Sequence, residues 1–175
     1  VTLNPGIDPL TNDGENRALN LATDGQGVWT AVWETNVDSS EGSTRGLLIS
    51  RSTDNGETWS SAQYLNTNSP TGGSYDYDPR LTSDGQGNWV AVWFSLSTLD
   101  GTIGSDRDIL VARSSNGGLT WSAPSALNSY AETDTGDDVN AWVTTDGHGT
   151  WLTMWNTTET LGDTIGADRD ILLSW

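Results

Sequence analysis

The 175-residue chain contains no cysteine and no lysine, and it has only one histidine. The missing cysteines exclude disulfide frameworks, thiol catalysis and zinc ribbons. No apolar run approaches the roughly 18 residues of a membrane-spanning helix, so we expect no membrane span. Its 7 basic residues stand against 24 acidic ones, which gives a formal net charge of −17. This charge repels phosphate and anionic lipid, so nucleic acids and membrane surfaces are not expected as partners.

The residues that are present indicate a folded domain. A chain of this length can bury a hydrophobic core without disulfides or bound metals to stabilise it. Its ten tryptophans argue against disorder. The chain opens at Val1 without a signal sequence and is strongly acidic. We therefore expect a mature or excerpted chain of a secreted or extracellular protein.

An internal repeat of about 62 residues organises the whole sequence. The segment LATDGQGVWTAVW at 21–33 returns at 81–93 and at 143–155, with a histidine in the third turn. The segment GTIGSDRDIL at 101–110 returns at 163–172. Repeats of this period are typical of propellers and solenoids, so each copy is expected to be one structural unit.

Each copy is predicted to contain four short antiparallel strands. Asp-Gly-Gln-Gly turns join runs of alternating side chains, which is a hairpin signal, and no helical periodicity extends beyond one turn. Both faces of the second strand are apolar, which predicts cover on both sides. The predicted fold is an all-β propeller segment. Its parts are an orphan outer strand 1–4, blade one 17–66, blade two 77–128 and an incomplete blade three 139–175.

Two eight-residue turns resemble the Asp-box of sialidase-type β-propellers. The first follows the pattern S-x-D-x-G-x-T-W, and the second has asparagine in place of the aspartate. We expect these turns to staple the third strand to the fourth, through side-chain bonds to turn N–H groups. The pattern consists of Ser52, Asp54, Gly56, Thr58 and Trp59, and then Ser114, Asn116, Gly118, Thr120 and Trp121.

The two ends of the chain complement each other. Blade three stops before its fourth strand, whereas the first four residues align with the fourth strands of the other copies. We expect head-to-tail strand exchange between copies, and two chains would give about six blades; an open filament and a piece of a longer array are the alternatives. The predicted chain–chain joint consists of Val1, Leu3, Ile171, Leu173 and Trp175.

The resemblance to sialidases implies three arginines that grip a substrate carboxylate, a Tyr-Glu nucleophile pair and an aspartate. Four of the seven arginines repeat in register, as scaffold residues do. The leading hypothesis is therefore a non-catalytic extracellular module for assembly or ligand binding. An exo-sialidase or related glycoside hydrolase is the first alternative, and a carbohydrate-binding propeller is the second. The candidate ligand residues are Arg17, Arg80 and Trp142.

Two Asp-Arg-Asp motifs are the candidate metal sites. Residues two apart on a strand point the same way, so each motif presents two carboxylates to one hard cation, and oxygen ligands suit calcium. The alternative is a solvated loop in which the arginine pairs with its neighbours. The four candidate ligands are Asp106, Asp108, Asp168 and Asp170.

Overall fold

Three antiparallel sheets make up the chain. A computed structural model describes residues 16–39, 42–65, 75–166 and 168–174. Their strands are β1 (Asn16–Thr23), β2 (Trp29–Ser39), β3 (Gly42–Ser52), β4 (Gln63–Tyr64), β5 (Asp76–Ser83), β6 (Trp89–Ser95), β7 (Asp108–Ser114), β8 (Ser125–Ala126), β9 (Asp138–Thr145), β10 (Trp151–Thr157) and β11 (Asp170–Ser174).

The prediction of an all-β propeller segment is confirmed. The sheet orders are β1-β2-β3-β4, β5-β6-β7-β8 and β9-β10-β11, each a meander of consecutive strands. In the described part, the third blade therefore has three strands and the other two have four. The predicted orphan strand 1–4, with its joint residues Val1 and Leu3, lies outside the described residues, and so does Trp175.

Most of the core lies in the two gaps between adjacent blades, and a smaller cluster around Trp33 lies on blade one alone. Strand β6 is covered on both faces: Trp89 and Trp93 pack in the cluster shared with blade one. Val90 and Val92, on the other face, pack against Val143 and the rest of the cluster shared with blade three. Because successive side chains of β6 point to opposite faces, alternate residues of this one strand belong to two different hydrophobic clusters.

Several apolar side chains on the outer faces of the end blades stay exposed. Leu152 and Met154 occupy the repeat positions of buried Val90 and Val92, yet they are 36% and 44% exposed. Leu21 is likewise exposed where its counterpart in blade two is buried. Burial at these positions therefore depends on the presence of a neighbouring blade.

Short turns lie at one end of the blades and longer connections at the other. At one end, the turn end, lie the hairpins after β1, β5 and β9 and the two box turns, 52–59 and 114–121. The Gln86 side chain donates to the carbonyl of Gly147 at 2.6 Å, and Arg51 donates to the carbonyl of Gly117 at 2.5 Å. These bonds join neighbouring blades. At the other end, the loop end, lie the longer connections 96–107, 127–137 and 158–169.

The box turns are closed by their own side chains. Asp54 accepts the backbone N–H of Thr58 at 2.9 Å and the hydroxyl of Ser52 at 2.7 Å. In the second turn Asn116 accepts the N–H of Thr120 at 3.0 Å. Hydrogen bonds from Thr58 and Ser52 lower the pKa of Asp54 to about 2. Both turns lie at the third-to-fourth strand hairpin, and each donates a backbone hydrogen bond to the turn that follows the first strand, Asn55 to Gly27 and Gly117 to Gly87.

No helix of the described ranges is long and apolar enough to cross a membrane. The helical part of these residues is one 3-10 turn, Leu99–Gly101, in the connection between β6 and β7.

Candidate functional site

The first strands of the blades, β1, β5 and β9, lie side by side and form the innermost layer. The backbone N–H of Leu81 in β5 donates to the Asn20 side chain of β1 at 3.0 Å. Each of these inner strands has an irregularity in register at the same repeat position.

A residue with positive φ stands at each of the three irregularities. The angles are 45° at Ala18, 48° at Asp78 and 58° at Asn140. Residues other than glycine rarely adopt this conformation, and bulges often re-aim side chains beside functional sites. The bulge with a positive φ is therefore a shared feature of the inner strands in all three blades.

Arg80 and Trp142 meet across the gap between blades two and three. The guanidinium carbon of Arg80 lies 4.9 Å from the centre of the Trp142 ring. Trp142 is 59% exposed, although it is the largest side chain of β9. A guanidinium over an indole is a favourable cation–π contact, and it holds the ring in place. The structure thus brings together two of the three predicted ligand residues.

Arg17, the third predicted ligand residue, lies elsewhere. It is exposed and lines a mostly apolar cleft of about 270 Å³ on the outer face of blade one, beside Leu19 and Leu21. This cleft faces away from blade two. Arg17 is therefore a candidate for contacts with whatever covers that face.

A second group of aromatic and charged side chains borders the inner strands, and the sequence analysis missed it. Tyr77 stacks on Phe94 with 4.9 Å between ring centres, and the Arg45 guanidinium lies 5.0 Å from the Tyr77 ring. Glu34 binds Arg45 at 3.2 Å and also accepts the N–H of Asp78 at 2.7 Å. Glu34 therefore holds the bulge of β5 from the neighbouring blade. The inward–outward alternation of side chains is interrupted at the bulge of β5. The alternating pattern of the sequence therefore did not predict that these side chains meet.

An acidic cluster lies at the loop end, between blades two and three. Carboxylate oxygens of Asp106, Asp108 and Asp134 all lie within 4.8 Å of one another. Asp106 precedes β7, Asp108 begins it, and Asp134 comes from the connection between β8 and β9. The sequence analysis found the first two residues. It missed Asp134, because that residue belongs to no repeated motif.

Backbone hydrogen bonds between two connections assemble the acidic cluster. The N–H of Gly104 donates to the carbonyl of Ala131 at 2.5 Å, and that of Asp138 donates to the carbonyl of Arg107 at 2.7 Å. A side chain at position 104 would collide with the Asp106 carboxylate. It would also lie 3.3 Å from the carbonyl of Ala131 in the other connection, so glycine at 104 favours the close approach of the two connections.

Burial raises the pKa values of the clustered carboxyl groups. The pKa of Asp108 and that of Asp134 rise to about 6, mainly through desolvation and then through the charges of neighbouring acids. The pKa of Asp106 rises for the same reasons. Nearby Asp138 reaches about 7 through desolvation, although the Thr157 hydroxyl and the Trp155 ring N–H oppose the rise. The cluster is an electrostatically unfavourable place for bare carboxylates.

The second Asp-Arg-Asp motif is placed differently. Asp168 is exposed just before β11, and Asp170 begins that strand. Among the residues that the structure describes, no third acidic, histidine or cysteine side chain joins these two. The arginine of the first motif, Arg107, pairs with Asp137 at 2.5 Å in a half-exposed ion pair.

A further cleft, of about 510 Å³, lies between the two box turns at the outer rim. Trp59, Tyr64 and Trp121 contribute its aromatic side chains, and Gln63 and Thr120 contribute polar ones. Its size suits a small ligand.

Comparison with known proteins supports the fold alone. No family model and no curated protein matches the chain. A Hadza microbial sialidase aligns with 91% of this chain and 44% of its own at 16% identity and a TM-score of 0.51. An N-acetylgalactosamine deacetylase from F. plautii was solved in complex with blood group B trisaccharide. It aligns with 98% of this chain and 52% of its own, at 10% identity and a TM-score of 0.57.

A third solved structure is the catalytic domain of a GH62 α-L-arabinofuranosidase from Coprinopsis cinerea. It aligns over 89% of this chain and 45% of its own, at 17% identity and a TM-score of 0.52. The chain therefore spans about half the length of the structures that it resembles. The fold that it shares with them is a partial β-propeller.

Proposed function

We propose that this chain is the carbohydrate-binding segment of a secreted, carbohydrate-active β-propeller, with Arg80 and Trp142 at its sugar-binding surface. The observation that supports this proposal best is the exposed Trp142 ring, held by the Arg80 guanidinium on a strained bulge of the inner layer. The three structural neighbours named above also act on, or are bound to, carbohydrate.

The chemistry of the two side chains suits a sugar. An indole ring offers a flat apolar surface to the C–H groups of a pyranose, and a guanidinium donates several hydrogen bonds to hydroxyl or carboxylate oxygens. Because Arg80 already orders the ring, little side-chain entropy is lost on binding. This arrangement binds an oligosaccharide without transforming it.

Glycoside hydrolysis is the second candidate for the complete protein. In the described residues Arg51, Arg80 and Arg107 have separate partners: a carbonyl of blade two, the Trp142 ring and Asp137. A clamp of three arginines on one carboxylate is therefore not formed by these three.

A binding series on oligosaccharides tests the proposal. The purified chain is titrated with soluble neutral and acidic oligosaccharides, and the dissociation constants of Trp142→Ala and Arg80→Ala are compared with that of the parent. Truncating a tryptophan at a binding centre costs about 2 kcal/mol, so we expect about 30-fold weaker binding. Tyr64→Ala, an exposed aromatic of the rim cleft, is the matched control.

Two results would contradict this placement. Equal affinities of the parent and Trp142→Ala would remove the inner layer as the site. A loss confined to Tyr64→Ala would move the sugar to the rim cleft between the box turns.

We also propose that a second copy covers the apolar end faces by head-to-tail assembly. Leu19 is 78% exposed on blade one, and Ile171 is 65% exposed on blade three beside exposed Leu173. Exposed apolar surface of this kind marks interfaces. Light scattering on the purified chain is expected to give the mass of two chains; a stable monomer at micromolar concentration would refute self-assembly.

A further inference from the structure

The acidic cluster holds more buried oxygen atoms than its surroundings can satisfy. No hydrogen-bond partner reaches Asp106 Oδ2 or Asp108 Oδ2. Asp108 is 0% exposed and Asp134 is 9% exposed, so both carboxyl groups are shielded from bulk solvent. Carboxylates buried in this way require a cation or a proton.

An uncharged side chain points to the same conclusion independently. Asn128 is 4% exposed, and its amide nitrogen donates to Asp108 Oδ1 at 2.9 Å. The oxygen of the same amide, Asn128 Oδ1, is buried without a hydrogen-bond partner. A buried amide oxygen is normally hydrogen-bonded, and it is also a common ligand of hard cations.

Among the described residues, no ion pair involves Asp106, Asp108 or Asp134. Arg107, between the two aspartates of its motif, is instead paired with Asp137. The ion pairs of the described residues therefore leave these three carboxyl groups without a cation.

We propose that Asp106, Asp108 and Asp134, together with the side-chain oxygen of Asn128, bind one calcium ion. The donors are all oxygens, which suit calcium and exclude a typical zinc site. Calcium bonds of roughly 2.3–2.6 Å place opposite ligands about 5 Å apart, and the carboxylate oxygens here lie within 4.8 Å. Magnesium binds at roughly 2.0–2.1 Å and demands a stricter octahedron.

The ion would join blade two to the connection that leads into blade three. Asp106 and Asp108 belong to blade two, whereas Asp134 lies in the connection between β8 and β9. In blade one the repeat positions of Asp106 and Asp108 hold Thr44 and Gly46. The proposed site is therefore specific to the second gap between blades, and it goes beyond the proposed sugar binding.

Thermal unfolding of the full chain, with and without calcium, tests the proposal. The chain is stripped with a chelator, and the melting temperature is measured as calcium or magnesium is added. Calcium at about 100 times its dissociation constant is expected to raise the melting temperature by roughly 5–10 °C. Isothermal titration is expected to give one ion per chain.

Charge-neutralising variants separate an ion site from a merely structural cluster. In chelator, Asp134→Asn and Asp108→Asn are expected to melt at or above the parent temperature, because each removes a buried negative charge. Both are expected to lose the response to calcium, and Asn128→Ala to bind roughly 10–100-fold more weakly. Asp168→Asn, the same change in the exposed second motif, is the matched control and keeps the full response.

The proposal is overturned if calcium leaves the melting temperature of the parent unchanged. It is equally overturned if Asp134→Asn and Asp108→Asn both retain the calcium response. An equal response to magnesium at equal concentration would refute the assignment to calcium.

Discussion

The tryptophans of the second strands offer a matched test of how a propeller core is stabilised. The ring N–H of Trp93 donates to the Asp76 carboxyl group at 2.9 Å, with both residues 0% exposed. At the equivalent place in blade one, Trp33 donates to the side-chain oxygen of Asn16 at 3.1 Å, and Asn16 is exposed. Geometry and repeat position are alike, but access to water differs.

We expect Trp93→Phe to cost more stability than Trp33→Phe. Both changes remove the indole N–H and similar ring area, so these losses cancel in the comparison. After the Trp33→Phe substitution, water can replace the lost hydrogen bond to the exposed Asn16 side chain. After Trp93→Phe, the Asp76 oxygen remains buried and loses the indole N–H as a donor. A buried acceptor that loses its partner costs about 1–3 kcal/mol. The difference in the free energy of unfolding is therefore expected to be about 2 kcal/mol.

Reversible urea and thermal unfolding measure this difference. For a chain of this size, about 2 kcal/mol lowers the melting temperature of Trp93→Phe by roughly 4–8 °C below that of Trp33→Phe. Equal melting temperatures for the two variants would refute the argument, since they would show that water access to the acceptor does not decide the cost.

Two further results are expected. Because the pKa of Asp54 is lowered to about 2, its ionised form contributes stability that is present above about pH 4 and is lost as the pH falls towards 2. In Asp54→Asn, which copies the second box turn, acid unfolding should lose this component; an unchanged profile between pH 5 and 2 would contradict the assignment. For the end faces, Ile171→Ser should reduce the particle mass in light scattering, and Leu119→Ser, at an exposed rim position, should not.

The acidic cluster depends on contacts between distant segments that local sequence patterns do not predict. The Asp-Arg-Asp motif suggested Asp106 and Asp108, because side chains two apart on a strand point the same way. Asp134 joins them only because hydrogen bonds between two connections bring residues 104 and 131 together. The sequence analysis treated both Asp-Arg-Asp motifs alike, whereas the structure gives a third carboxylate to the first of them alone.

The sequence by itself determined the repeating blades of this protein. Alternation with a period of two decides which side chains share a face, and a repeat of about 62 residues makes each copy form the same short strands. These features are local, so they follow from the chain without knowledge of its neighbours.

Only the tertiary structure decided which side chains of each repeat copy are buried and which residues of different copies meet. Val92 is buried and Met154 is 44% exposed at one repeat position, because blade three covers the former and no described blade covers the latter. Arg80 and Trp142 are 62 residues apart, yet they meet because the inner strands lie side by side. Burial, strained bulges and shared sites are properties of the gaps between blades, and packing alone creates those gaps.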